Sequence, residues 1–231
     1  MVTILNKSQK QRYARHTALA EVGIQGQEKL LASRVLIVGA GGLGSPVLLY
    51  LAAAGVGTIG VIDFDKVELS NLQRQIIHRE EGVGTAKVMS AREAISDLNQ
   101  EVTVETYRMR LTSGNASDLI DKFDLVVDGS DNFTTRYLLN DACFFSKKPL
   151  VSAALLRFEG QLSTFKPFVP GDKNPCYRCL FPSPPAPGTV PRCEQAGIFG
   201  AVAGVMGSLQ ATEVIKELLG IGEGLSGNLV L

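Results

Sequence analysis

The chain has 231 residues, 45% hydrophobic and 20% charged, and its 23 Lys and Arg balance 23 Asp and Glu to a formal net charge of zero. This length and composition suit one α/β domain with a sizeable core. The charge balance argues against nucleic acid as the main partner and against a polybasic membrane surface, since both need a basic excess.

The opening residues, MVTILNKSQKQRYARH, hold no apolar stretch of the kind a secretory signal carries. Residues 34–38, RVLIV, form a β-branched apolar run that ends in glycines, the pattern of a buried parallel strand. A helix is predicted over 43–54 and a second strand over 58–63, together a βαβ unit. Next come a helix over 86–99, strands over 102–106 and 124–128, a helix over 134–147 and a strand over 150–153. Alternating strands and helices predict a doubly wound, mostly parallel Rossmann-like sheet. A hairpin-type antiparallel strand is expected at 161–165. Residues 166–192 hold eight of the ten prolines and read as a long irregular loop within a domain spanning 1–231. A helix over 199–219 returns to the core, and 228–231 looks like the start of a strand that breaks off, as if a C-terminal tail were missing. The uncharged run 195–212 includes a GxxxG spacing at Gly200 and Gly204, but a small-residue helix packed inside a soluble fold accounts for it, so no membrane span is expected.

Gly39-Ala40-Gly41-Gly42-Leu43-Gly44 fits GxGxxG between a strand and a helix, where glycines let phosphate oxygens approach backbone N–H groups. Asp63 ends the next strand, at the spacing of a carboxylate that binds ribose hydroxyls. These features alone suit a dinucleotide-binding protein. The following residues do not, because such a protein has no need of Asn71, Arg74, Gln75 and Lys87 clustered after the ribose acid. A triphosphate does need them. It carries about four negative charges, Mg²⁺ offsets two, and this loop lacks the Lys-Ser/Thr ending of a P-loop. Arg15, Arg74 and Lys87 are candidate cations, and Asp131, in Asp128-Gly-Ser-Asp131-Asn132 at a strand's carboxyl end, is a hard oxygen ligand for Mg²⁺. Each could instead be an ordinary solvated charge.

Arg12-Tyr13-Ala14-Arg15-His16, the glycine loop, Ser70-Asn71-Leu72-Gln73-Arg74-Gln75 and Asp131-Asn132 resemble, in order and over nearly the whole chain, the ubiquitin-activating-enzyme superfamily. Within it the chain is similar to the adenylyltransferases that activate ubiquitin-like sulfur carriers for molybdopterin synthase or for thiamine thiazole synthesis. His16 departs from the family, where many members carry Gln. The resemblance implies a cytoplasmic enzyme using ATP and Mg²⁺ to convert a carrier's C-terminal glycine carboxylate, in a tail ending Gly-Gly, to an acyl-adenylate. It implies that Gly39, Gly41, Gly42 and Gly44 line the nucleotide and that Asp63 binds ribose. Asn71, Arg74, Gln75 and Lys87 would surround the phosphates, and Asp131 would hold Mg²⁺. Arg15 would reach the site of the other subunit in a homodimer.

Four cysteines at this length do not suggest a disulfide framework, so a reducing cytoplasm is expected. Cys176-Tyr-Arg-Cys179 offers half of a tetrahedral zinc site, a redox pair or two idle thiols. The family's second CxxC, which would complete zinc binding, is not in this chain. Cys193 matches the thiol some relatives use as a nucleophile, with Arg192 beside it to lower its pKa; the alternative is an unreactive loop thiol. Cys143 is expected in the core. Neither His16 nor His78 sits in a hydrolase triad motif. Two rival readings are an NAD-dependent oxidoreductase and a non-catalytic half of a heterodimeric activating enzyme.

Overall fold

The structure is a computed structural model that describes residues 5–171, 174–186, 188–189 and 196–231. Three short helices open the chain, α1 (Lys7–Arg12), α2 (Ala14–Thr17) and α3 (Gly23–Ala32). Then follow β1 (Arg34–Val38), α4 (Gly44–Ala54), β2 (Thr58–Ile62), 3₁₀ turns at Leu69–Asn71 and Glu80–Gly82, α5 (Lys87–Leu98) and β3 (Thr103–Tyr107). The second half comprises α6 (Ala116–Ile120), β4 (Leu125–Asp128), α7 (Phe133–Ser146), β5 (Leu150–Leu156), β6 (Glu159–Phe165), the single turn α8 (Tyr177–Leu180) and α9 (Gly200–Leu219).

The sheet order is β3-β2-β1-β4-β5-β6. β3 to β5 pair in parallel and β6 runs antiparallel to β5, so the expected doubly wound sheet with an antiparallel extension is present. Strand alternation explains the two cores. Val35 and Ile37 of β1 face one side, with Leu48 and Leu51 of α4, Ala91 and Ile95 of α5 and Val214 of α9. Leu36 and Val38 face the other, with Leu119 of α6, Leu139 of α7 and Phe123. Central strands are therefore covered on both faces, which is why they read as unbroken apolar runs. Each fully buried aliphatic side chain here contributes about 1.5–3 kcal/mol. The chain reverses direction across the sheet between β1 and β4, so a crevice opens at the carboxyl ends of these strands.

The structure adds to and corrects the sequence reading in several places. The helices α1 to α3 and the single turn α6 have too few apolar repeats to announce themselves by periodicity. The β5–β6 hairpin is longer than expected, pairing Leu156 with Glu159. The segment 228–231 does not form a strand; Val230 and Leu162 exchange two backbone hydrogen bonds of 3.0 Å in an isolated bridge. The uncharged run 195–212 is largely α9, whose Ala203, Met206, Ala211 and Val214 are buried in the chain's own core, as expected of a small-residue helix packed inside the fold. Among the described residues no helix is long and apolar enough to cross a membrane.

Candidate active site

The glycine loop connects β1 to α4 and forms one wall of the crevice. Gly39 has a φ of 98°, in the left-handed region, and a Cβ there would lie 2.8 Å from the Gly129 carbonyl oxygen. A Cβ on Gly44 would run into the Gly39 carbonyl oxygen. These two positions need glycine because the loop doubles back on itself and presses against the end of β4. Gly41 and Gly42 serve differently. The nearest atom to a Cβ on Gly41 would be Gln75 Nε2, at 3.8 Å, and Gly42 would meet the aliphatic stem of Arg74 at 3.5 Å. Arg74 and Gln75, some thirty residues downstream, thus lie over the loop.

The side chains expected around a nucleotide gather at this edge. Asp63, just past β2, accepts the Ala40 N–H at Oδ2 (2.9 Å) and the Asp65 N–H at Oδ1 (2.8 Å). Each oxygen keeps a second lone-pair direction for an incoming hydroxyl. Asn71 is buried and accepts the Glu68 N–H at 3.2 Å, closing a 3₁₀ turn. Arg74 donates to the Ser70 carbonyl at 3.1 Å. Gln75 is buried and among the described residues its Oε1 has no hydrogen-bond partner, a cost folding bears unless something else satisfies the oxygen. Lys87, the first residue of α5, is also buried, with Nζ 3.4 Å from Asp65 Oδ2. Among the described residues, the half-exposed Asp65 is the one carboxylate within ion-pair distance of this amine.

The opposite wall follows β4. Asp128 is fully buried and accepts from Ser130 N–H (3.0 Å), Ser130 Oγ (2.6 Å) and Ser152 Oγ (2.7 Å), with Arg136 Nε 3.9 Å away. Arg136 also donates to the Ser130 carbonyl at 3.1 Å. Gln210 of α9 donates to the carbonyls of Asp128 (2.8 Å) and Val151 (3.0 Å). This network fixes the turn that presents Asp131. Asp131 itself is exposed, and among the described residues its side chain accepts only a 3.4 Å contact from Asn132 Nδ2. The Asn132 side chain caps α7 by accepting the Thr135 N–H at 2.9 Å.

Arg15 is elsewhere. The segment holding it is anchored where α4 and α5 end: Asn99 donates to the Tyr13 hydroxyl (2.9 Å), Arg12 to the Leu98 carbonyl (3.1 Å) and Gln27 to the Ala54 carbonyl (2.9 Å). Those helices begin at the crevice and run back along the sheet, so Arg15 sits exposed at the amino ends of the strands, away from its own chain's glycine loop.

The ThiF family matches residues 13–231. The chain belongs to the ThiF family. It is 52% identical over 230 residues to the adenylyltransferase and sulfurtransferase MOCS3 of Culex quinquefasciatus, covering 100% of this chain and 52% of that protein. It is 52% identical over 226 residues to the sulfur carrier protein adenylyltransferase of Thermus thermophilus, covering 97% of this chain and 83% of that one. The chain therefore spans about half the length of the first relative and most of the second. The crystal structure of E. coli MccB with ATP superimposes with a TM-score of 0.75 at 26% identity, over 93% of this chain and 66% of that one.

In this ThiF-family chain the cysteines part company. Cys176 caps the start of α8 and Cys179 lies within it, with their sulfurs 3.5 Å apart, near the ~3.8 Å of two thiolates on one tetrahedral zinc. A structural zinc takes four ligands, and among the described residues no group of three or more His, Cys, Asp or Glu could hold a metal. Cys193 lies outside the described residues. Cys143 is buried on α7, as expected, and burial pushes its thiol far above the usual range.

Ser152, Arg136, Gln210 and His78 carry much of this architecture and were not singled out as site residues by sequence reasoning. Ser152 and Gln210 did leave a signal, as polar residues inside otherwise apolar runs. For His78 the sequence offers none, because its partners are Ala40 and Ser90.

Proposed function

We propose that the chain is an ATP-dependent adenylyltransferase that activates the C-terminal glycine carboxylate of a ubiquitin-like sulfur-carrier protein ending in Gly-Gly, in the cytoplasm, where thiols stay reduced. The observation that carries this reading is the grouping of Arg74 and Gln75 over the glycine loop, with Lys87 linked to that loop through Asp65 and Asp63, and with Gln75 Oε1 and the open side of Gly41 left for a ligand. The family membership and the relatives' names support it.

A carboxylate is already ionised near neutral pH, so it needs no general base. One of its oxygens attacks the α-phosphorus of ATP. A carboxylate–phosphorus bond forms, the bond from that phosphorus to the β-phosphate oxygen breaks, and pyrophosphate leaves with the electron pair. The product is a mixed anhydride, which a sulfur nucleophile can open. The protein's part is positioning and charge stabilisation. Asp63 orients the ribose, the loop amides face the phosphates, and Arg74 and Lys87 stabilise charge on the α-phosphate and the leaving group. Asn71 and Gln75 complete the polar lining. Asp131 would hold Mg²⁺, which would offset triphosphate charge; an exposed carboxylate past the end of β4 suits a hard, partly hydrated cation. The position of Arg15, exposed and far from its own loop, supports a homodimer in which it serves the partner's site.

The test is ATP–pyrophosphate exchange with candidate carriers. Exchange that needs Mg²⁺ and an intact Gly-Gly terminus is expected. A purified dimer that ignores millimolar ATP and binds NAD without Mg²⁺ would overturn the reading in favour of an oxidoreductase.

A further inference from the structure

The peptide of Ala40, second residue of the glycine loop, is held by side chains on both sides. Its N–H donates to Asp63 Oδ2 at 2.9 Å, and its carbonyl lies 2.9 Å from His78 Nε2. His78 is 6% exposed, and its Nδ1 lies 3.0 Å from Ser90 Oγ. A carbonyl only accepts, so Nε2 carries the proton and donates. Nδ1 of the neutral ring then accepts from the Ser90 hydroxyl. Burial, reinforced by the charge of Lys87 and opposed by the Ala40 carbonyl and by Asp63, holds the imidazole pKa below its usual value.

Ser90 stands three residues, almost one turn, after Lys87 on α5. The Lys87 N–H donates to the Asp65 carbonyl at 3.0 Å, its Nζ donates to Asp65 Oδ2, and the Asp65 N–H returns to Asp63 Oδ1. A circuit closes: Ala40, Asp63, Asp65, Lys87, Ser90, His78 and back to Ala40. It joins the loop whose amides face the phosphates to the helix that carries the lysine, through side chains far apart in sequence. His78 is the member that ties the loop to that helix directly.

We propose that His78 is a positioning residue for the nucleotide, setting through Ala40 and Ser90 the distance between the glycine-loop amides and Lys87. The inference rests on the adenylyltransferase reading above. Outer partners of this kind change ligand affinity while leaving the contacting groups in place.

Steady-state exchange kinetics on His78→Leu, His78→Gln and Ser90→Ala test it. His78→Leu leaves the Ala40 carbonyl without a donor and is expected to raise the KM for ATP about tenfold or more, with the carrier KM unchanged. His78→Gln retains an N–H donor and is expected to restore the ATP KM to within about threefold of wild type. Should His78→Leu not fold, Ser90→Ala carries the test, with an expected rise of about threefold in the ATP KM alone. A merely structural histidine would lower the melting temperature while the folded fraction kept the wild-type ATP KM, and that result overturns the inference. A wild-type protein that neither exchanges nor binds ATP overturns the adenylyltransferase reading itself, and His78's role with it. An active wild type with an unmoved ATP KM in these variants sinks only the role of His78.

Discussion

Tyr13 and Asn99 meet across 86 positions of sequence: Asn99 Nδ2 donates to the Tyr13 hydroxyl at 2.9 Å and to the Ala52 carbonyl at 2.8 Å. The Tyr13 ring lies against Gly55, where a Cβ would come within 2.5 Å of the phenol, and Gly55 itself has a φ of 84°. One buried contact therefore pins the N-terminal helices to the far ends of α4 and α5, and it decides on which edge Arg15 emerges.

Asn99→Ala leaves the Ala52 carbonyl without this donor and is expected to cost about 1–3 kcal/mol. Gly55→Ala forces a left-handed alanine into the Tyr13 ring and costs at least about 1–3 kcal/mol from the backbone alone. Both should speed proteolytic cleavage within the N-terminal segment. Should Arg15 serve a partner's site, both should also lower exchange activity beyond the loss of folded protein. Limited proteolysis beside thermal melts checks this, and a protected N-terminus in Gly55→Ala would contradict it.

Asp128 concentrates the packing energy of the opposite wall. Asp128→Ala strands a buried Arg136 guanidinium and removes the acceptor of Ser130 and Ser152, with an expected cost of about 3–5 kcal/mol. Ser152→Ala removes a single donor and should cost about 1 kcal/mol. Urea unfolding of the two variants separates these values, and similar midpoints would show that the arginine is satisfied in another way.

Lys87→Ala should lower ATP–pyrophosphate exchange by about 10²–10³, the usual loss when one charge-stabilising group is taken from a reacting phosphate or oxyanion. Asp131→Ala should abolish exchange at ordinary Mg²⁺ concentrations with little change in melting temperature, because Asp131 is exposed and supports no packing. Near-normal exchange in Asp131→Ala would remove the Mg²⁺ role.

Stability should depend on His78 below neutral pH. Its folded pKa lies below the ordinary 6.5, so the unfolded chain binds the proton first as pH falls. Stability is then fully present above 6.5 and declines from there toward the lower folded value. His78→Gln should lose that part of the slope. Urea unfolding at several pH values between 5 and 8 reads the difference, and parallel curves for the two proteins would contradict it.

At alkaline pH the same reasoning applies to Tyr107. Burial, then the hydrogen bond to Glu105 and that carboxylate's charge, push its hydroxyl up to about 12. Unfolded tyrosine ionises near 10, so stability should fall as pH rises from there toward about 12. Glu105 is held down reciprocally, first by the Tyr107 hydrogen bond and then by Arg34. Glu105→Gln should bring the ultraviolet titration of Tyr107 back toward 10, and an unmoved curve would assign the whole shift to burial.

The chain's own letters were enough for the βαβ start, the parallel sheet and the glycine loop. Those features rest on local pattern: two-sided apolar strands, glycines where the backbone turns, and Asp63 at a strand end. Periodicity misled where burial is supplied by the rest of the fold. The residues 228–231 resembled a strand, yet their bridge to β6 is confined to Val230 and Leu162, and the Asn228 carbonyl accepts a side chain, the Ser163 hydroxyl.

The candidate site divides along the same line. Residue type and position made Arg74 and Lys87 candidate cations and Asp131 a candidate Mg²⁺ ligand, and the family resemblance added Asn71 and Gln75 beside the phosphates, because charge and hydrogen-bonding capacity belong to the side chain itself. Only the tertiary structure decided that Gln75 carries an unsatisfied oxygen, that Arg15 leaves by the opposite edge, and that His78 ties the glycine loop to α5. Such outcomes depend on desolvation and on hydrogen-bond geometry, which exist only after segments distant in sequence have packed together.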